Sequence, residues 1–293
     1  MKKTKTPKIF LITSMAIFGT IGGFKHYIGL SSGEIALYRA LLAAAVIAVV
    51  LLVTKQKLSL RQMKKELPLL LLSGAAMGFN WILLFEAYNY TTVSIGTLSY
   101  YFAPVLVTVL TPVLFHEKLG AKRWICSLMA TVGIVMITGL GDMSAHDTHL
   151  IGIGFGLGAA VLYATVVILN KFIKSTGGLQ RTFVQFIAAI VVLLPYVILS
   201  GFTAAPIGTL GVSFMLIIGL VHTGFAYCMY FSAIKELPGQ EAAIMSYIDP
   251  LIAIFVSAWW LKETPLGPWQ IVGGVLILGF TLLNEIDFKK KRR

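Results

Sequence analysis

Charge is scarce in this chain. Charged residues make up 12% of 293, and only 12 residues are acidic. A water-soluble domain of this length carries roughly twice that charged fraction, so an ordinary soluble globular fold is excluded. Cysteine is nearly absent as well. Cys126 and Cys228 both fall inside apolar runs and form no CxxC pair, which excludes a disulfide framework or a structural zinc site and leaves two buried free thiols. No GxxxxGK[ST] loop occurs, and the polar connections are too short to hold a nucleotide-binding domain. No GxSxG occurs either. His116-Glu117 begins like HExxH, but Gly120 stands where the second histidine belongs. ATP-driven and intramembrane hydrolytic chemistry therefore have no sequence support, and no cofactor or metal site is read.

What the chain does have is apolar length. Hydrophobic residues make up 57%, the mean hydropathy is +0.86, and apolar stretches recur from end to end. About 20 such residues cross ~30 Å of hydrocarbon as a helix. The stretches do not alternate with period two, which excludes a membrane β-barrel. Lys2, Lys3, Lys5 and Lys8 precede an apolar run without an A-x-A site, so that run reads as the first span rather than a cleaved leader. The pattern predicts an all-α integral membrane protein with ten spans, near 9–30, 33–53, 67–88, 93–115, 122–140, 150–172, 180–201, 209–233, 239–261 and 266–284.

The net charge of +12 lies in short loops and at the termini rather than on a nucleic-acid-binding face. With the N-terminus inside, 21 of the 24 Lys and Arg residues fall on the cytoplasmic side and Lys262 alone in an outer loop. Lys25 and Arg39 sit within or near the ends of spans. The positive-inside rule then places both termini in the cytoplasm and the chain in the cytoplasmic membrane.

The halves repeat. A shift of 146 residues lays Lys25 on Lys171, Gly78-Phe79 on Gly224-Phe225 and Phe85-x-Ala87 on Phe231-x-Ala233. It also lays Tyr101-x-x-Pro104 on Tyr247-x-x-Pro250 and Glu117 on Glu263. Five spans per copy is an odd number, so the copies must be oppositely oriented, a pattern found in many transporters. The expected units are 1–140, 150–284 and a basic cytoplasmic tail at 285–293.

These residues resemble the drug/metabolite transporter superfamily, in particular the EamA-type exporters. The resemblance rests on Arg39 in the second span, an aromatic-rich third span, Tyr101-x-x-Pro104, and Glu117 with Trp124. The second half supplies Tyr247-x-x-Pro250, Glu263 and Trp269. It implies a carrier of two inverted five-helix repeats moving small organic solutes, often amino acids or related metabolites, commonly outward. Two positions break the repeat: Arg39 falls on Gln185, and Ala103 on Asp249.

Those asymmetric positions are the first candidates for a solute site. A carboxylate deep in a span, as at Asp249, must be paired, protonated or solvated. It can pair with Arg39, bind a substrate amine or proton, or face a wet vestibule. Arg39 can fork onto a substrate carboxylate or tie its helix to Glu34, Glu86 or a helix C-terminus. Asn80, Tyr101, His222 and Tyr247 complete the candidate substrate-binding set. Pro104 and Pro250, read near the middle of the fourth and ninth spans, should kink them and act as hinges. Glu117 and Glu263 read as caps of the fifth and tenth helices, and Lys25 as a snorkelling residue. Gly152, Gly154, Gly156 and Gly158 read as a close-packing face. The expected partners are a small-molecule substrate and the bilayer. Proton coupling through Asp249 or His222 and uncoupled exchange both fit, and monomer and homodimer stay open.

Overall fold

The computed structural model describes residues 5–56, 58, 63–115, 120–137, 147–204, 207–234, 236–237, 242 and 245–285. Glu117 and the tail from 286 lie outside these residues. Every regular element among them is helical. Seven helices are long and apolar enough to cross a bilayer: Thr6–His26, Ser32–Val53, Leu67–Tyr90, Val93–Leu110, Thr148–Phe172, Gly178–Ser200 and Thr209–Ile234. Three shorter ones, Ala121–Ile137, Ile248–Trp260 and Pro268–Glu285, stand where the fifth, ninth and tenth spans were expected. The chain is an all-helical membrane protein, in which seven helices reach membrane length among the described residues.

In chain order the helices are α1 (Lys5–Gly19), α2 (Ile21–His26), α3 (Ser32–Val53), α4 (Leu67–Tyr90), α5 (Val93–Tyr100), α6 (Ala103–Phe115) and α7 (Ala121–Ile137). They continue with α8 (Asp147–Phe172), α9 (Gly178–Ser200), α10 (Thr209–Leu216), α11 (Ala226–Ile234), α12 (Ile248–Phe255) and α13 (Pro268–Glu285). A π-helical stretch, Ile217–Phe225, joins α10 to α11, and another, Val256–Trp260, extends α12.

Local chemistry sets the helix starts. Ser31 and Glu34 form a reciprocal capping box on α3, with Glu34 N donating to Ser31 Oγ at 3.3 Å and Ser31 N to Glu34 Oε2 at 2.9 Å. Thr92 caps α5 by accepting from Ile95 N at 3.2 Å. The first span, expected unbroken over 9–30, is interrupted at Thr20, whose hydroxyl donates to Ile17 O at 2.8 Å. Exposed aliphatics such as Leu199, at 87%, form the surface a bilayer would cover.

Packing runs mostly between the halves, and it repeats. α4 packs on α8 and on α9; correspondingly, α11 packs on α1, and the first π-stretch on α3. α5 and α6 pack on α8, as α12 does on α1. A shift of 146 residues converts α4·α8 into α11·α1, α4·α9 into the π-stretch with α3, and α6·α8 into α12·α1. α7 and α13 pair with each other, backbone to backbone. A Cβ on Gly133 would meet Gly273 O at 2.7 Å, and one on Gly273 would meet Gly133 O at 2.6 Å. Gly152 and Gly156 of α8 likewise press on Thr91 and on Ser99 with the Gly96 carbonyl, and Gly158 faces Leu83, whereas a Cβ on Gly154 would meet no described atom within 4 Å.

Candidate functional site

The YxxP helices do not kink at proline; they break one turn earlier. Residues 101–102 separate α5 from α6, and Tyr247 is the turn residue ahead of α12. Pro104 and Pro250 therefore sit in the first turn of a new helix rather than near the middle of an old one. Proline is tolerated there because its missing N–H would have no intrahelical partner in any case. The carbonyl that a fourth-following amide would have bonded is left over, and in hydrocarbon it needs another donor. For Pro250 that carbonyl belongs to Ser246, and Tyr101 of the other half supplies the donor, with its hydroxyl 3.2 Å from Ser246 O.

The same hydroxyl lies 2.9 Å from Asp249 Oδ2, so one phenolic proton is shared between a carbonyl and a carboxylate. Asp249 occupies the first turn of α12, where the helix dipole and unsatisfied amides favour negative charge. Tyr247 packs beside Tyr101 with ring centroids 6.3 Å apart.

Arg39 is 5% exposed. Its guanidinium carbon lies 4.2 Å from the Trp81 ring centroid and 5.7 Å from that of Phe85, a cation–π arrangement. Its Nε donates to Thr223 Oγ1 at 2.7 Å, and that hydroxyl donates to Ile218 O at 2.9 Å. The donor and acceptor of this second bond are five residues apart, as the wider π-helical turn allows, so the π-stretch sets the rotation of Thr223 toward Arg39. The two terminal nitrogens bond no other described residue. The fixed pair with Asp249, one of the alternatives the sequence leaves open, is not formed, and neither Glu34 nor Glu86 holds the guanidinium.

Arg39, Asp249, Tyr101 and Tyr247 line one cavity of about 460 Å³. Aromatic side chains make much of its wall, including Trp81, Tyr88, Tyr100, Tyr163, Tyr227 and Tyr230, and Pro104 lies at its edge. From the helix breaks the cavity runs toward the end of the bundle carrying Asn170, Arg181 and Ile234. At the opposite end α1 and α2 close on their neighbours. A Cβ on Gly19 would meet Asp249 O at 2.5 Å, one on Gly22 would meet Val93 Cγ1 at 2.5 Å, and one on Gly23 would meet Trp260 Cε3 at 2.6 Å.

Two expected site residues are not in the cavity. Asn80 is 2% exposed and donates to Ala159 O at 2.6 Å, tying α4 to α8. His222 is 2% exposed, lies 2.8 Å from Thr20 Oγ1 and packs edge-on to Phe24. Both meet the same requirement: a polar group inside a bundle must find a partner, and each finds one at a helix–helix contact. Glu263 is a cap, but of a different helix. Its Oε2 accepts from Val93 N at 2.9 Å and from the Ser257 hydroxyl, so it caps α5 of the other half rather than α13. Glu117 lies outside the described residues. Lys25 does not snorkel; it is 8% exposed and donates to Asn89 Oδ1.

Sequence reasoning marked Gln185 as a break in the repeat but did not place it with Asn170 and Arg181 at the far end of the cavity. Gln185, the repeat counterpart of Arg39, donates to Asn170 Oδ1 at 2.7 Å and also to Ser73 Oγ. Arg181 donates to the carbonyls of Asn170, Ile173 and Thr176 where α8 ends. The Arg39–Gln185 mismatch was the available signal. Glu66 was missed. It accepts from Lys174 N at 2.7 Å, Ser175 N at 2.8 Å and Thr176 Oγ1 at 2.6 Å, joining the entry of α4 to the α8–α9 loop.

Comparison with known proteins places this geometry. A solved crystal structure aligns with a TM-score of 0.67 over 99% of this chain and 100% of that one, at 16% identity, which establishes a shared fold. Among curated relatives, "Uncharacterized transporter YxxF" of Bacillus subtilis (strain 168) is 28% identical over 97% of this chain and 91% of its own length. An "Uncharacterized transporter" of Archaeoglobus fulgidus is 28% identical over 66% of this chain and 67% of its own length. "Solute carrier family 35 member G1" of Mus musculus is 24% identical over 94% of this chain and 77% of its own. The EamA-like transporter family matches the chain twice, over residues 6–139 and again over 150–285. A helical membrane protein with a cavity at two broken helices and this doubled match belongs to the EamA-like transporter family.

Proposed function

We propose that this membrane transporter is a secondary carrier that moves a small zwitterionic metabolite, an amino acid or a close relative, by alternating access. The observation that carries the reading is the single cavity that holds both Arg39 and Asp249 without pairing them. A guanidinium suits a substrate carboxylate and Asp249 a substrate ammonium, while the aromatic wall covers an apolar side chain. A cavity in which a guanidinium and a carboxyl are held apart by other partners can accept a ligand that bridges them.

The two halves, 1–140 and 150–284, act as oppositely oriented repeats of five spans each. The three shorter helices complete the ten, and the broken YxxP helices serve as hinges. With both termini in the cytoplasm, the cavity end carrying Asn170 and Arg181 faces inward, so the conformation is the cytoplasm-facing one. Loading from that side fits export across the cytoplasmic membrane. Asp249 stands where a coupling proton would also bind; an exchanger without a proton uses the same geometry.

The test is a panel of amino acids, sugars and nucleosides, read first by thermal shift of the purified protein and then by flux in liposomes. Zwitterions should stabilise the protein and saturate the flux. Stabilisation by sugars or nucleosides alone would replace this substrate class.

A further inference from the structure

Tyr88 lines two cavities. One side faces the central cavity; the other faces a separate cleft of about 280 Å³ bordered by Gly22, Lys25, His26, Asn89 and Val93. The cleft lies beyond the glycine contacts that close the central cavity, at the end where His26 and Asn89 are exposed. Tyr88 is held in place by Thr97, with the two hydroxyls 3.0 Å apart. This ring is therefore the partition between the central cavity and the outside of that end.

Lys25 is a costly residue to place there. Its side chain is 8% exposed, and among the described residues Asn89 Oδ1 is its one hydrogen-bond acceptor. An ammonium has three donors, and leaving buried charged donors unmatched is strongly unfavourable. The nearby Glu86 does not close an ion pair with it. That carboxylate instead accepts from Asn89 Nδ2 at 2.9 Å, so a neutral amide stands between the two charges. The cleft thus offers a buried cation with spare donors, a histidine at its mouth, a phenol at its back and room for a small ligand.

We infer that this cleft is an anion-binding station that takes a small anion, either free in the medium or the acid end of an organic solute, on Lys25 at the closed mouth of the transporter. The repeat supports a role at the mouth. Lys171 holds the matching position in the second half and is exposed at the opposite end, where the central cavity opens. One lysine is covered where the bundle is shut, and its counterpart is uncovered where the bundle is open.

Binding is tested on the purified full chain without assuming transport. Thermal unfolding is followed while sodium acetate or sodium chloride is titrated, with ionic strength held by a bulky sulfonate buffer anion too large for the cleft. Wild type should show a saturable rise in Tm. Lys25→Gln should need about tenfold more anion for half-saturation, the loss expected for one charge-assisted hydrogen bond, while Lys25→Arg retains the response and Lys171→Gln, at the opposite end, leaves it unchanged. A chloride response alone identifies a free inorganic ion, an acetate response alone an organic acid group, and either supports the station. A flat wild-type titration overturns it, as does an unchanged Lys25→Gln midpoint or an equal loss in Lys171→Gln. Should Lys25→Gln fail to fold, crystals of wild type soaked in bromide decide the matter. An anomalous peak beside Lys25 Nζ supports the site, and a cleft without one refutes it.

Discussion

Asp249 and Arg39 show how a residue's partner, more than its type, decides its role in a membrane interior. Each is ionisable and largely enclosed, yet each is held by neutral groups, a phenol for one and a hydroxyl with two aromatic faces for the other. Asp249→Asn removes the charge that would meet a substrate ammonium. It should weaken half-saturation by about ten- to hundredfold, the equivalent of ~1.5–3 kcal/mol for a hydrogen bond to a charged group, while leaving expression intact. Flux kinetics check this. Arg39→Lys keeps the charge but loses the planar fork, so about tenfold weaker binding is expected by the same measure. Tyr101→Phe is a stability test. It orphans the Ser246 carbonyl freed by Pro250 and should cost about 1–3 kcal/mol, read as a lower Tm without ligand.

Glu66 gives a prediction in pH. Burial alone would raise its carboxyl, but the hydrogen bonds from Thr176, Ser175 and Lys174 outweigh burial and pull it from the usual 4.5 down to about 2. A carboxyl depressed on folding stabilises the fold above its unfolded value, and that contribution fades as pH falls toward the folded value. Glu66→Gln should therefore lower Tm fully at neutral pH, and the gap to wild type should shrink between pH 4.5 and 2. A gap that stays constant with pH would assign the effect to lost packing.

At this scale the sequence was informative where a charge stood deep in a span or broke the repeat, as at Asp249, Arg39 and Gln185. It was uninformative for Asn80 and His222. A buried amide or imidazole looks the same in sequence whether it faces a ligand or a backbone carbonyl on the next helix.

Among the elements, the broken helices matter most. The repeat located both YxxP motifs, but periodicity and proline content suggested a kink inside one helix. The actual interruption falls at Tyr101 and Tyr247, because proline is accommodated in the first turn of the following segment and a cross-repeat hydroxyl takes one leftover carbonyl. That partner lies 145 residues away in the chain, beyond any local reading. The π-stretch Ile217–Phe225 has no sequence signature either; its value is visible only in Thr223 meeting Arg39. Closure by α1 and α2 is directly testable. Gly19→Leu would place a side chain against the Asp249 carbonyl and Ile252. The variant should hold this end open and abolish flux while still binding solute. Labelling of a cysteine introduced at exposed His26 would be unchanged by ligand if the gate is jammed, and ligand-dependent if it still closes.

At the scale of the whole molecule, the fold class was the most legible feature. Scarce charge, apolar length and the 146-residue shift point to a helical membrane protein of two related halves. The packing pairs α4·α8 and α1·α11, related by that same shift, are how the halves meet. The halves pack extensively against each other and enclose the cavity between them.

The most direct measurement is counterflow in liposomes, using the zwitterion that most stabilises the purified protein. The expected result is saturable uptake, accelerated by unlabelled solute on the opposite side, with half-saturation raised about tenfold or more in Asp249→Asn and Arg39→Lys. Linear, non-saturating flux, or saturable flux identical in both variants, would contradict a solute site between Arg39 and Asp249.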